Sequence, residues 1–551
     1  MVMSRKKRIL FCGEATFLNT GYATYIREIL NYLNSTNKYD IAEMASYASP
    51  DDPRCAQVPW KLYPAALPKN ATEQQKRHYN SKHTNQFGEY VFHDVCLDFM
   101  PDIVCDIRDF WMIEFVERST YRNFFKWCIM PTVDAEPQAN NWIETFKSAD
   151  ACLSYSDWSG EILQAQGCGA INYIGSAPPS AHQAYSAEKD KLKCRSLLRI
   201  PKNKKIIGTV MRNQRRKLYP DLFKMFRMIL DSVENPQDYL LYCHTSYPDM
   251  GWDIPSLLQE NGIGSNVMFT YKCLETGKPY ASFFVGPRGV SPFTNKDSGV
   301  LCNVQNGASY DDLSNIMNAF DIYVQYANSE GFGLPQVEAA AGGVPVASID
   351  YSAMHSVINQ LGGIALRPKT LYKEMETGCM RAVPDNEYAC AEILKFLSLP
   401  EDIRNKIGFE TKQNFLKHFQ WDKSGQQWEK YFDSVEIKPI TETWLSPPNI
   451  KPIPEKKEID NIREQVKFLI KEVLSDETKI GSMLEHRMIK DLSYGFATTA
   501  MEGIYMNDSS LVSDGNIQKH PFNYDVAYSI MKNQRIEHNN NEHKRREAFN
   551  L

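Results

Sequence analysis

The sequence predicts an α/β protein made of two parallel-sheet units in tandem, followed by a helical extension. Three observations carry this. Short apolar runs alternate with amphipathic helical patterns through roughly the first 200 residues. The same rhythm restarts near residue 200, and 551 residues exceed what one ordinary core holds.

The elements follow in order. Residues 8–13 read as the first strand, and the loop from Glu14 to Gly21 opens a helix carrying Tyr25, Ile26, Ile29, Leu30 and Leu33. Residues 39–45 are a second strand, and the polar stretch at about 50–95 reads as an insertion of loops and helix. Strands return at 102–107, 125–130, 151–155 and 170–174, with a helix at about 160–166. The second unit runs strand 204–210, helix 220–231, strand 239–244, helix 254–261 and strand 267–271. Residues 274–309, rich in Gly, Pro, Ser and Asn, read as an excursion of hairpin or loop. A helix at 313–320, strands at 321–325 and 344–350, and helices at about 388–397, 400–418 and 421–432 complete it. Pro439, Pro447, Pro448, Pro452 and Pro454 then mark a linker. The expected organisation is therefore units at 1–198 and 199–415, a closing helix at 416–434 and a Pro-rich linker at 435–456. Residues 457–551 form the helical extension, with a frayed, highly charged tail.

Composition narrows the functional class. Hydrophobic content of 43% with 23% charged residues is that of a soluble globular protein. A net charge of -5 supplies no global drive toward nucleic acid or anionic membrane. The 13 cysteines form no C-x-x-C pair and several sit inside apolar runs, as reduced thiols of a cytoplasmic protein would. Basic residues precede Ile9 and Leu10, but the apolar run stops at Gly13 and Glu14, too short for a signal peptide, and no other run is long enough to span a bilayer. Cys273 and Cys302 alone do not make a zinc ribbon, and no metal site is expected.

The chemistry concentrates in Asn328 to Ala339, where Glu330 follows an apolar strand and Glu338 is expected in the first turn of the next helix. Gly331 and Gly333 between them let backbone N–H groups approach a ligand closely. Two acidic acceptors beside a positive helix N-terminus suit a ligand with both hydroxyls and phosphates, such as a nucleotide sugar. Gly21, after Asn19 and Thr20, opens a helix that offers the same diphosphate a second N-terminus.

The run Glu330-Gly331-Phe332-Gly333-Leu334-Pro335-Gln336-Val337-Glu338 resembles the E-x7-E motif of retaining family-4 (group 1) glycosyltransferases, which have the GT-B fold of two Rossmann-like units facing a cleft. Met211-Arg212-Asn213 with Lys217, the strand 267–271, Ala339 to Val346 and Phe419-Gln420-Trp421 are similar to further parts of that family. The resemblance spans about 8–434, and such chains with insertions occur in bacteria and in large phages.

It implies a metal-independent retaining transfer from a nucleotide sugar, with a UDP-sugar favoured and no cofactor. Glu330 would hold sugar hydroxyls, Glu338 the ribose, and Arg212 and Lys217 the leaving diphosphate. Lys217 is preferred to Arg215 and Arg216 through the family pattern alone. Gly331, Phe332, Gly333, Leu334, Thr20, Gly21, His244 and Tyr271 complete the expected donor site. For the acceptor, Asp134 stands where many relatives carry a histidine; Asp109 and Trp111 are further candidates. Ile174-Gly175-Ser176-Ala177 replaces the family's usual Asn-Gly-Val-Asp-like turn.

The acceptor is expected to be a glycan or a hydroxymethylated DNA base. The run from Lys202 to Lys217 and the tail Lys544, Arg545 and Arg546 could meet a phosphate backbone, but solvated charge is the default reading and the net acidity argues mildly against DNA. Competing readings on the same fold are a nucleotide-sugar epimerase, a sugar phosphorylase and a non-catalytic nucleotide-sugar-binding module. The expected location is the cytoplasm, the host's if the protein is viral.

Overall fold

The computed structural model describes residues 5–444 apart from 120 and 304. Most of the expected linker and all of the extension and tail lie outside the described residues.

The first sheet has seven strands: β1 (Lys7–Glu14), β2 (Tyr39–Ser46), β3 (Lys61–Pro64), β4 (Ile103–Asp106), β5 (Lys126–Ile129), β6 (Ala151–Ser154) and β7 (Tyr173–Ser176). They lie in the order β3-β2-β1-β4-β5-β6-β7, all parallel. Ile9 to Cys12 are buried from both faces, which is why β1 reads as a continuous apolar run. β3 comes from the stretch expected to be loops and helix. It pairs with β2 at the sheet's edge, where a short, half-exposed strand gives little sequence signal.

The second sheet is built on β8 (Lys205–Val210), β9 (Tyr239–His244), β10 (Val267–Cys273), β11 (Pro279–Phe283), β12 (Arg288–Gly289), β13 (Gly299–Leu301), β14 (Ile322–Gln325), β15 (Val346–Ile349) and β16 (Ile364–Leu366). Its parallel core runs β10-β9-β8-β14-β15-β16, and β11 and β13 add antiparallel to β10. The 274–309 excursion is thus short strands that lengthen this sheet. A hairpin of β17 (Pro368–Lys373) and β18 (Met380–Pro384) follows, which sequence patterning did not anticipate.

Strand order reverses at β1 in the first sheet and between β8 and β14 in the second. Ligands of such sheets bind outside the strands' carboxyl ends at these points. The helix Trp421–Ser434 returns to the first unit, where Trp428 Nε1 donates to the Tyr25 hydroxyl at 2.9 Å and Phe432 packs on Phe11 and Tyr39. A Cβ on Gly425 would lie 2.3 Å from Tyr32, so this crossing depends on glycine. All thirteen cysteines are unpaired and all but Cys55 and Cys168 are buried. Among the described residues no helix is long and apolar enough to cross a membrane.

Candidate active site

Beyond β8 the chain passes from Met211 through a turn at Arg215 and Arg216 to the helix Tyr219–Asp231, and beyond β14 it continues through Tyr326 and Ala327 to a bend at Asn328. These two exits lie side by side. Lys217 bridges Ala327 antiparallel, Leu218 N donates to Tyr326 O at 3.1 Å, and Asn328 N donates to Arg216 O at 2.9 Å. That pairing brings Arg216 and Lys217 to Glu330.

Glu330 is 4% exposed, and the Lys217 ammonium contacts one carboxylate oxygen while the Arg216 guanidinium contacts the other. Gln325 Nε2 donates to the lysine-bound oxygen at 2.8 Å, and the Glu330 backbone is tied to the Ser352 hydroxyl at 2.9 Å. Burial and the adjacent guanidinium push the Lys217 ammonium down, and the touching carboxylate opposes this. Glu330 therefore enters the cleft clamped, with both oxygens engaged.

Arg212 is not part of this cluster. Its half-exposed guanidinium is bidentate to Asp249, at 2.9 and 3.0 Å, and holds that carboxyl down to about 2. The cation that joins Lys217 is Arg216, which the family pattern had passed over.

Gly333 has φ 86° and caps the helix Leu334–Ala341. The helix begins at Leu334, so Glu338 is its fifth residue and lies past the first turn, contrary to expectation; the helix N-terminus supports it less than a first-turn carboxylate. Burial instead dominates its chemistry and raises its pKa to about 7, with the Tyr185 hydroxyl acting the other way.

The other expected donor residues divide. The Thr20 hydroxyl accepts from Ala23 N at 3.1 Å and donates to Glu14, capping the helix Gly21–Thr36. A Cβ on Gly21 would meet only open space. His244 ends β9 with Nδ1 3.0 Å from the Thr270 hydroxyl, and burial lowers its pKa to about 4, so it is neutral at physiological pH. Tyr271 is a correction: it is fully buried, its hydroxyl donates to Gly286 O at 2.8 Å and accepts from Val285 N at 3.1 Å, and it braces the turn after β11. An aromatic at a strand end looks the same in sequence whether it faces a cleft or the core.

Asp134 is held from the opposite unit. Arg381 on β18 donates to it at 2.9 Å, to the Ser329 hydroxyl at 2.6 Å and to Glu374 at 2.8 Å. Asp109 is half-buried; the loss of water around its carboxyl raises its pKa, and it accepts from the Tyr22 hydroxyl at 2.8 Å. Trp111 is exposed.

Between the units lies a cavity of about 270 Å³. The first unit lines it with Gly21, Tyr22, Tyr25, Thr132, Tyr155 and Pro179. The second contributes Arg216 and Gly331 to Leu334. The approach is tight: a Cβ on Gly331 would lie 2.5 Å from Thr132 Cγ2. Arg216, Arg381, Tyr22 and Tyr155 went unassigned from sequence, where only an alternation too short to read sets them apart from surface residues.

Residues 298–407 match the family model described as glycosyl transferases group 1, a span that contains Glu330, Glu338 and Arg381. No curated protein matches the chain. Among solved structures it is similar to sucrose-phosphate synthase from Thermosynechococcus elongatus, at TM-score 0.57 and 16% identity, covering 78% of this chain and 98% of that one. It is also similar to HepE of Anabaena in complex with UDP and glucose, at TM-score 0.54 and 12% identity, covering 78% and 100%. A trehalose-6-phosphate protein from E. coli bound with UDP-2-fluoro glucose gives TM-score 0.52 and 11% identity over 78% and 100%. The fold is GT-B, and the resemblance to group 1 glycosyltransferases read from the Glu330–Glu338 motif is met by the family match over that segment.

Proposed function

We propose that the protein is a retaining glycosyltransferase that moves a sugar from a nucleotide-sugar donor, with a UDP-sugar favoured, to a hydroxyl of a glycan or a hydroxymethylated DNA base. The observation that carries this is the clamp of Lys217 and Arg216 on Glu330, beside the cavity and within reach of the helix that starts at Leu334. A donor diphosphate competes with Glu330 for the two cations. Once exchanged, the cations neutralise the charge that grows on the leaving group, and the Glu330 oxygens are released toward sugar hydroxyls. Glu338 accepts from the ribose. The acceptor oxygen bonds to the anomeric carbon on the face from which the diphosphate departs, the glycosidic C–O bond to phosphate breaks, and the acceptor proton passes to a phosphate oxygen. The positive charge supplied by Lys217, Arg216 and helix N-termini supports a reaction without metal. The narrow gap between Gly331 and Thr132 supports exclusion of water.

The test is a thermal-shift panel of UDP-, GDP- and ADP-sugars, then mass spectrometry of products with glycan and DNA acceptors in EDTA and NMR of the product anomer. Isomerisation of the nucleotide sugar without an acceptor, or binding with no transfer or hydrolysis, would refute the assignment.

A further inference from the structure

Two tryptophans stand where the first sheet meets the cleft. The helix Phe110–Glu117 follows β4, the helix Asn140–Ser148 follows β5, and Trp111 and Trp142 fall in their first turns. Those turns lie at the strands' carboxyl ends, and a helical Cβ tilts toward the helix N-terminus, so both indoles lean to the cleft side of the sheet. Trp142 is half-buried and stacks on Phe110, with ring centroids 5.3 Å and planes 24° apart; Phe110 in turn packs edge-on against the buried Phe146. Trp111 is 44% exposed and meets Trp142 at 6.5 Å with the planes 63° apart. A single exposed tryptophan is unremarkable. A pair whose angle is fixed by the core, beside a cleft, is a contact surface.

The shelf continues the cleft. Asp109, two residues before Trp111, accepts from the Tyr22 hydroxyl, and Tyr22 lines the cavity with Thr132. Consecutive Cα atoms are about 3.8 Å apart, which puts the Trp111 Cα within about 8 Å of the Asp109 Cα. Neither tryptophan lines the cavity itself. A ligand on the shelf is therefore the outer part of a chain whose end reaches inward.

Sugar rings and nucleobases both stack on indoles, so charge decides between them. Residues 109–148 carry six acids, Asp109, Glu114, Glu117, Asp134, Glu136 and Glu144, against four cations. All four cations are engaged: Arg118 with Glu114, Lys147 with Glu144, and Arg122 and Lys126 with Asp150. A phosphate backbone laid along this wall would meet surplus negative charge and no free cation. A neutral glycan instead offers C–H faces to the indoles. Its hydroxyls suit the carboxylates and the exposed amides of Asn140 and Asn141.

We propose that Trp111 and Trp142 form a stacking shelf for a neutral glycan chain, holding rings beyond the one that receives the transferred sugar. This rests on the glycosyltransferase reading and names the acceptor class of that same cleft: an oligosaccharide or longer glycan.

The test is titration calorimetry of the full chain, with and without UDP, against maltohexaose, cellohexaose, mannohexaose and chitohexaose. Each is paired with its monosaccharide, and a single-stranded DNA decamer is added to the panel. Wild type is expected to bind at least one hexasaccharide about tenfold or more tightly than its monosaccharide. Trp111→Ala should lose that advantage, and Trp111→Phe, which keeps an aromatic face, should recover most of it. Both variants should melt as wild type does and respond equally to UDP. No hexasaccharide bound, or equal binding by Trp111→Ala, would overturn the proposal. So would a decamer whose binding depends on Trp111, which would give the shelf to nucleobases, or a Trp111→Ala chain that melts early, which would give the indole to the fold. Wild type that answers no nucleotide or nucleotide sugar would sink the glycosyltransferase reading instead, and the arm without UDP keeps that failure distinct.

Discussion

Replacing Glu338 with glutamine is expected to stabilise the protein while weakening its grip on nucleotide. Burial lifts the Glu338 carboxyl from an ordinary 4.5 to about 7. Below about pH 4.5 it is protonated in both folded and unfolded chains, and no penalty exists. Between 4.5 and 7 the folded state keeps a proton that the unfolded chain has released, so wild type loses stability as pH rises, and above 7 the loss is complete. At about 1.36 kcal/mol per pH unit, the full loss is about 3 kcal/mol. Unfolding entropy of about 2.1 cal/mol/K per residue over roughly 440 described residues converts this to about 3 to 4 °C. Glu338→Gln cannot ionise and escapes the loss. Melting curves of the two proteins should coincide at pH 4.5 and separate by that amount at pH 8.5, other titrating groups cancelling in the difference. The same variant should bind UDP about tenfold more weakly at pH 8, since a carboxylate acceptor is replaced by a neutral amide. Wild-type affinity should fall below pH 7, and the variant's should stay flat. A constant melting difference across pH, or equal UDP affinity, would refute the reasoning.

Three further outcomes are expected. Lys217→Met leaves Glu330 buried with only the half-exposed Arg216, and should cost about 3 kcal/mol by chemical denaturation and abolish transfer. Gly331→Ala drives a methyl into Thr132 and should lower kcat at least tenfold without unfolding the chain, and adding Thr132→Ser, which removes the opposing Cγ2, should restore most of it. Arg381→Ala strips Asp134 and Glu374 of a shared cation across the units. It should cost about 1 kcal/mol, because both carboxylates keep some solvent, and should raise the acceptor KM, which steady-state kinetics would detect.

Legibility followed the physics of each element. Strands buried on both faces, such as β1, β8 and β9, were readable as apolar runs because a buried parallel strand has no polar side to hide them. The edge strand β3 and the exposed strand β17 of the hairpin were not, because strands with exposed faces mix polar and apolar residues as loops do. The Glu330-to-Glu338 run stood out because two carboxylates at fixed spacing flank a Gly-x-Gly turn, a combination less common than the glycines alone. Glu338 falls just past the first turn because the helix begins at Leu334, with Gly333 as its cap at positive φ.

By itself the sequence determined the two-sheet architecture, the strand ends where ligands gather and the acidic pair in the second unit, since periodicity and turn chemistry are local properties of the chain. Only the tertiary structure decided that Arg216 joins Lys217 on Glu330, that Arg212 belongs to Asp249, and that Arg381 reaches Asp134 from the opposite unit. Each of those partners is distant along the chain. Which charges meet, and which buried groups go without a partner, depends on how two sheets dock, and no local pattern encodes that.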